Sequence, residues 1–363
     1  MNHSIRLRHA LAAGAVALGT LASTAHAKTF VYVSNADSED ISAFQLDDGN
    51  GTLTPIQTLH VGGTAMPMAL SPDHHHLYAG LRSKPYRVLS LAINPLDGQL
   101  IPLGSAPLPE SMAYLSVDNT GRYLFGASYG GNMLSASHID ATGIARDAYQ
   151  TFPTGPMAHA IRSAPDNRYV FASVLGSDVW LRFKFDASTG ELTQDAAPGY
   201  RLPANSGPRH FVFSADGKRV YLIDELDGKL HVLAFDQSTD TVKPIQTVSI
   251  VPPDFGTRKP WGADLHLTPD GRFLYTSERT SSTLNGFSVE AHSGKLTRIG
   301  TWATETQPRG FDIDPSGHYL FAVGQLSNHL SAYRIDPASG ALKASGQYET
   351  GKNPNWVTTV KFD

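Results

Sequence analysis

The chain of 363 residues contains no cysteine. Disulfide staples, thiolate nucleophiles and cysteine-ligated zinc are therefore excluded. Charged residues are scarce at 17%, while glycine and proline number 33 and 23, a composition that suits short strands joined by tight turns and opposes disorder or coiled coil. The apolar run Ala10 to Leu21 is too short and too rich in alanine and glycine for a membrane span. An excess of basic residues is missing as well. With a formal charge of −4, nothing points to nucleic acid or to an anionic membrane surface as a partner.

What is present first is a leader. Arg6 and Arg8 form a basic start, the run to Leu21 follows, and Ala25-His26-Ala27 has the small-x-small pattern of a cleavage site. Residues 1–27 are thus expected to be a cleaved signal peptide, which makes the mature protein periplasmic and its net charge −6 once the two arginines are gone. The remaining residues 28–363 hold one repeated phrase, a turn of the Pro-Asp-Gly type followed by a strand with an aromatic.

The phrase occurs at Ser71-Pro72-Asp73, Asn119-Thr120-Gly121, Ala164-Pro165-Asp166, Ala215-Asp216-Gly217, Pro269-Asp270-Gly271 and Pro315-Ser316-Gly317. Its aromatic positions, counted from Tyr32 through Tyr78, Phe125, Phe171, Tyr221, Tyr275 and Phe321, are 46, 47, 46, 50, 54 and 46 residues apart. That is the period of a four-stranded propeller blade, so the chain is expected to be an all-β, seven-bladed β-propeller. The first repeat lacks its turn and preceding strand. Residues 353–360 supply a matching strand, and its pairing beside Phe30–Val33 would close the ring with both termini in one blade and leave no open sheet edge. Blades bury their faces on one another, so no internal domain boundary is expected.

In a blade the first strand leaves one rim and the second returns to it. Residues at the start of the first strand and just after the second therefore share a face. At the first position the repeats carry Met66, Ala113, His159, Arg209, Ala263 and Arg309; at the second they carry Arg82, Tyr129, Leu175, Glu225, Arg279 and Gln325. One histidine, one carboxylate and several arginines thus converge on a concave mouth, the strongest chemical constellation in the sequence. Each has a plainer alternative: the arginines as inter-blade ion pairs, Glu225 as their counter-charge, and His159 as a satisfied structural histidine. Trp261 lies near enough to wall the mouth, whereas His266 is expected on a blade face. Asp73, Asp166, Asp216 and Asp270 recur because aspartate bonds its own turn backbone. His74-His75-His76 has the look of a metal site, but a turn that feeds alternating strand positions makes it a solvated turn instead.

Gly207-Pro208-Arg209-His210-Phe211, the stretch Pro260-Trp261-Gly262-Ala263-Asp264-Leu265-His266, and Thr304-Glu305-Thr306-Gln307-Pro308-Arg309-Gly310-Phe311 resemble the seven-bladed lactonase family, which includes bacterial propeller-type 6-phosphogluconolactonase and fungal carboxymuconate lactonizing enzyme. The resemblance spans essentially the whole mature chain. It implies a site for lactone chemistry without metal or cofactor, acting on a small-molecule sugar lactone, with catalytic residues matching His159, Arg209, Glu225 and Arg279. Arg309, His210, Trp261 and Gln325 complete the expected site as substrate-binding residues. Either His159 or Glu225 would be the general base. The leader favours an unphosphorylated aldonolactone, since 6-phosphogluconolactone is made inside cells. A non-catalytic binding platform and a muconate-type cycloisomerase are the alternative functions.

Overall fold

The computed structural model describes Met1 and residues 27–363, so the expected leader lies, but for its two ends, outside the described residues. The repeated turn forms as its residues dictate. In the first example the Asp73 carboxylate accepts from the Ser71 hydroxyl at 2.5 Å and from the His75 N–H at 3.0 Å. Ser214 with Asp216 and Thr268 with Asp270 repeat the pattern. His74 sits at the tip with φ of 66°. His74 and His75 are exposed, and among the described residues no group of three or more His, Asp or Glu side chains is arranged to hold a metal ion.

Among the described residues the strands assemble into seven antiparallel sheets, six of four strands and one of five. Their innermost strands are Ala65–Leu70, Tyr114–Val117, Ala158–Ser163, Pro208–Phe213, Gly262–Leu267, Pro308–Ile313 and Pro354–Phe362, each neighbouring the next in a closed ring. The seven-bladed propeller expected from the repeat is the observed fold. Its last blade combines Pro354–Phe362 with Lys28–Asn35, Asp40–Leu46 and Leu53–His60. The pairing of Phe30 with Val360 and Val33 with Val357 is the closure anticipated above.

The repeated aromatic is visible in the sequence because it works between blades. Tyr32, Tyr78, Tyr221 and Tyr275 donate their hydroxyls to the carbonyls of Gly98, Gly143, Gly294 and Gly340 in the following blade, at 2.8, 3.0, 3.1 and 2.7 Å. Gly98 shows why these turns need glycine: its φ is +73° and a Cβ would lie 2.3 Å from the Phe30 ring. Apolar layers such as Phe171 stacked on Trp180 at 4.0 Å fill the space between sheets.

Candidate active site

Five of the six first-strand rim positions picked from the repeat are set by the same local device, the exception being Ala113, which precedes its strand Tyr114–Val117. His159, Arg209, Ala263, Arg309, Met66 and Asn355 are each the second residue of an innermost strand. At this point the pairing with the second strand slips, as between Ala158 and Ala160 or between Pro208 and Phe211. Such a bulge re-aims a side chain that regular pleating would point elsewhere. Two residues earlier, Met157, Gly207, Gln307 and Asn353 have left-handed backbone in four of the blades. The carbonyl two before the bulged residue then accepts the N–H of the residue just after the second strand. Arg82 bonds Thr64, Leu175 bonds Met157, Glu225 bonds Gly207, Arg279 bonds Trp261 and Gln325 bonds Gln307, at 2.7 to 3.2 Å. These bonds stitch the two sets of rim positions together.

The result is a cavity of about 230 Å³ at one mouth of the channel, lined by Arg82, Ala113, Tyr129, His159, Glu225, Trp261, Arg279 and Arg309. The carboxylate of Glu225 accepts three bonds. One oxygen accepts from Arg209 Nε at 3.0 Å and from Arg279 at 2.8 Å, and the other from the Trp261 indole at 3.3 Å. Burial alone would raise this carboxyl, but Arg209 and Arg279 outweigh it and hold the group below its ordinary 4.5. Arg279 in turn lies 3.9 Å over the Trp261 ring. Glu225 therefore binds two guanidiniums into one rigid, charged wall.

Arg209 does not line the cavity. It is wholly buried beneath it, bonded to Glu225 and to the Ala263 carbonyl, with one terminal nitrogen unpartnered. Arg309 does line it, and its Nε has no protein partner. Arg309 also lacks a carboxylate: among the described residues the ion pairs here join Glu225 only to Arg209 and Arg279. Arg82, on the same wall, bonds neutral Ser111 and Met66. Four guanidiniums thus surround a single carboxylate. Burial, reinforced by Arg209 and Arg279, pushes Arg309 well below its ordinary value, a direction that a bound anion would oppose.

His159 lines the cavity with its Nδ1 buried and unpartnered. Burial first, then Arg209 and His210, hold the imidazole well below 6.5, so it is neutral at pH 7 and can accept a proton. The Tyr129 ring meets it edge-on at 5.9 Å.

Two further sequence candidates lie off the cavity wall. The Gln325 side chain is drawn to Gln307 at 3.1 Å and to Asn353 at 2.9 Å. His210 is buried behind His159, with Nδ1 2.7 Å from Asp264 and ring contacts to Tyr114 and Trp356. Arg82 and Tyr129 join the wall from the same repeat position as Glu225 and Arg279. His266 departs from the blade face expected for it. It pairs regularly with Tyr275, between the bulge and the turn, and it lines a second channel cavity of about 340 Å³ to which the neighbouring inner strands contribute Arg162, Asp312 and Trp356.

Residues 22–359 match the family described as "Lactonase, 7-bladed beta-propeller". Relatives named 6-phosphogluconolactonase include those of Serratia proteamaculans, 41% identical over 79% of this chain and 85% of the relative, and of Pectobacterium carotovorum, 40% identical over 78% and 84%. Among solved structures, a periplasmic gluconolactonase of Pseudomonas aeruginosa superposes with a TM-score of 0.84 at 27% identity, covering 92% of this chain and 99% of that one.

Proposed function

From the premise that this chain belongs to the seven-bladed β-propeller lactonase family and is a lactone-hydrolysing carboxylic ester hydrolase, we propose that it opens an anionic sugar lactone with His159 as general base. The observation that carries the substrate reading is the unpaired Arg309 guanidinium beside Arg82. An anionic group of the substrate, a phosphate for example, supplies the missing counter-charge. The relatives named 6-phosphogluconolactonase support this.

Neutral His159 takes a proton from water as the water oxygen attacks the lactone carbonyl carbon. The carbonyl electron pair moves onto its oxygen, where the guanidinium wall centred on Arg279 stabilises the oxyanion. Collapse breaks the bond to the ring oxygen, which receives the proton back from His159. The product hydroxy acid then ionises. A bound anion serves a second purpose: by offsetting the arginine field that depresses His159, it raises the basicity of the imidazole when substrate is in place. Glu225, accepting three bonds and acidic, is better suited to hold the arginines than to act as the base.

The second reading is a neutral aldonolactone met outside the cytoplasm. It is favoured by the leader-like residues 1–27 and by the printed name of the Pseudomonas relative. Turnover of glucono-lactone and its 6-phosphate by wild type and Arg309→Leu separates the two. On the first reading wild type prefers the phosphate ester at least about tenfold in kcat/KM, equivalent to about 1.4 kcal/mol, and Arg309→Leu abolishes the preference. Equal turnover of both by wild type overturns the anionic reading, and hydrolysis unaffected by His159→Gln overturns the assignment of the base.

A further inference from the structure

Behind His159 a file of buried polar side chains runs down the channel. The rings of His159 and His210 are 5.1 Å apart at a steep angle. Nδ1 of His159 and Nε2 of His210 are both buried and both lack a protein partner. The other nitrogen of His210, Nδ1, is 2.7 Å from an Asp264 oxygen. The second Asp264 oxygen is 3.4 Å from His266 Nε2, and His266 Nδ1 is 3.3 Å from Asp312. An ionised carboxylate only accepts, so the His210 proton is on Nδ1 and its Nε2 is a bare acceptor.

We propose that His210 and Asp264 are positioning residues that set the tautomer of His159 without a direct hydrogen bond to it: the bare Nε2 of His210, in ring contact with His159, favours the His159 proton on the buried Nδ1 and leaves the base lone pair of His159 on Nε2 for the cavity. This rests on His159 being the base. The surroundings keep the arrangement in force. His210 is pushed down to about 3, by burial first and then by Arg209, so it does not gain a second proton near neutral pH. Asp264 stays ionised because His266 and His210 overcome its burial. The other charged or titratable groups facing this file are Arg209, Arg279, Arg309 and Glu225 on the cavity side and Tyr114, Arg162 and Asp312 on the far side. The logic is that of a base oriented by a third group through its second nitrogen, here with an imidazole between base and carboxylate.

Nitrogen-15 NMR of histidine-labelled full-length protein reads the tautomer directly, whatever the activity. Wild type is expected to show His159 protonated on Nδ1, and His210→Phe to shift it toward Nε2. In kinetics His210→Phe lowers kcat at least about tenfold with little change in KM. His210→Gln keeps one donor and one acceptor, so it retains more activity than the phenylalanine variant. Because the residues act through His159, adding His210→Phe to His159→Gln costs nothing further. Asp264→Asn provides the same tests should the phenylalanine variant fail to fold. An Nε2-protonated His159 in wild type, or losses that multiply in the double variant, overturns the proposal. Unchanged hydrolysis in His159→Gln sinks the reading of the base instead, and the NMR result still stands on its own.

Discussion

Replacing Glu225 by glutamine tests whether this carboxylate is a clamp or a reacting group. It is buried, and among the described residues it is the only carboxylate paired with Arg209, which is wholly buried, and with Arg279. Removing one member of a buried ion pair costs about 3–5 kcal/mol because the remaining charge is left without compensation. For the 336 residues from Lys28 to Asp363, an unfolding entropy of about 2.1 cal/mol/K per residue gives about 0.7 kcal/mol per kelvin. Glu225→Gln should therefore lower Tm by about 4–7 °C at pH 7.5, and the amide oxygen, which still accepts one bond, favours the lower end. The pH dependence has a definite sign. The folded-state value of Glu225 is depressed, so its contribution is complete above the ordinary 4.5 and is lost as pH falls from there toward the folded value. Melting curves of the two proteins should converge in that acid range. Added sulfate or phosphate should restore part of the Tm of the variant by neutralising the uncompensated guanidiniums around the cavity. A Tm unchanged within about 1 °C together with a kcat loss of about 10²–10⁴ would refute the clamp and make Glu225 a reacting group.

Tyr275→Phe should cost about 1 kcal/mol, a fall of one to two degrees in Tm, because the Gly340 carbonyl in the next blade loses its buried donor; a calorimetric scan checks it. His266 is raised above its ordinary 6.5, since Asp264 and Asp312 outweigh its burial and Arg162 opposes them only weakly. Its contribution is then fully present below pH 6.5 and lost as pH rises through the folded value, so the stability gap between wild type and His266→Gln should be wide at pH 5.5 and narrow at pH 9 in thermal melts. Deleting residues 354–363 removes the strand paired with Lys28–Asn35 and exposes a sheet edge, so size-exclusion chromatography should show aggregate in place of the peak given by the intact protein.

The ring was legible in the sequence because its signals are covalently local: an aspartate that bonds its own turn, and an aromatic whose role in each blade is the same. The rim residues were legible because the bulge that aims them recurs at a fixed distance from that turn. What a residue faces was less legible. His266 lies between the bulge and Pro269-Asp270-Gly271, in regular register with Tyr275, and it borders a channel cavity that exists only where several inner strands meet. Position in the repeat also does not decide what a side chain reaches. Gln325 shares the place of Glu225 and Arg279 but is held by Gln307 and Asn353, and Arg209 shares the place of Arg309 but lies under the wall. Meetings such as His210 with Asp264, 54 residues apart in neighbouring blades, carry no local pattern at all.

The closing blade also decides which way the molecule faces. Strand Pro354–Phe362 starts at the rim that carries the guanidinium mouth and runs away from it, and Lys28 pairs with Phe362 at the far rim. Polypeptide entering at Lys28 or leaving after Phe362 does so on the side opposite the guanidinium mouth. A leader that stayed attached and held the protein at a membrane would turn that mouth outward into the surrounding fluid. An affinity tag or fusion partner at either end would likewise leave the mouth open, and immobilising the protein through its termini presents the candidate site to solution.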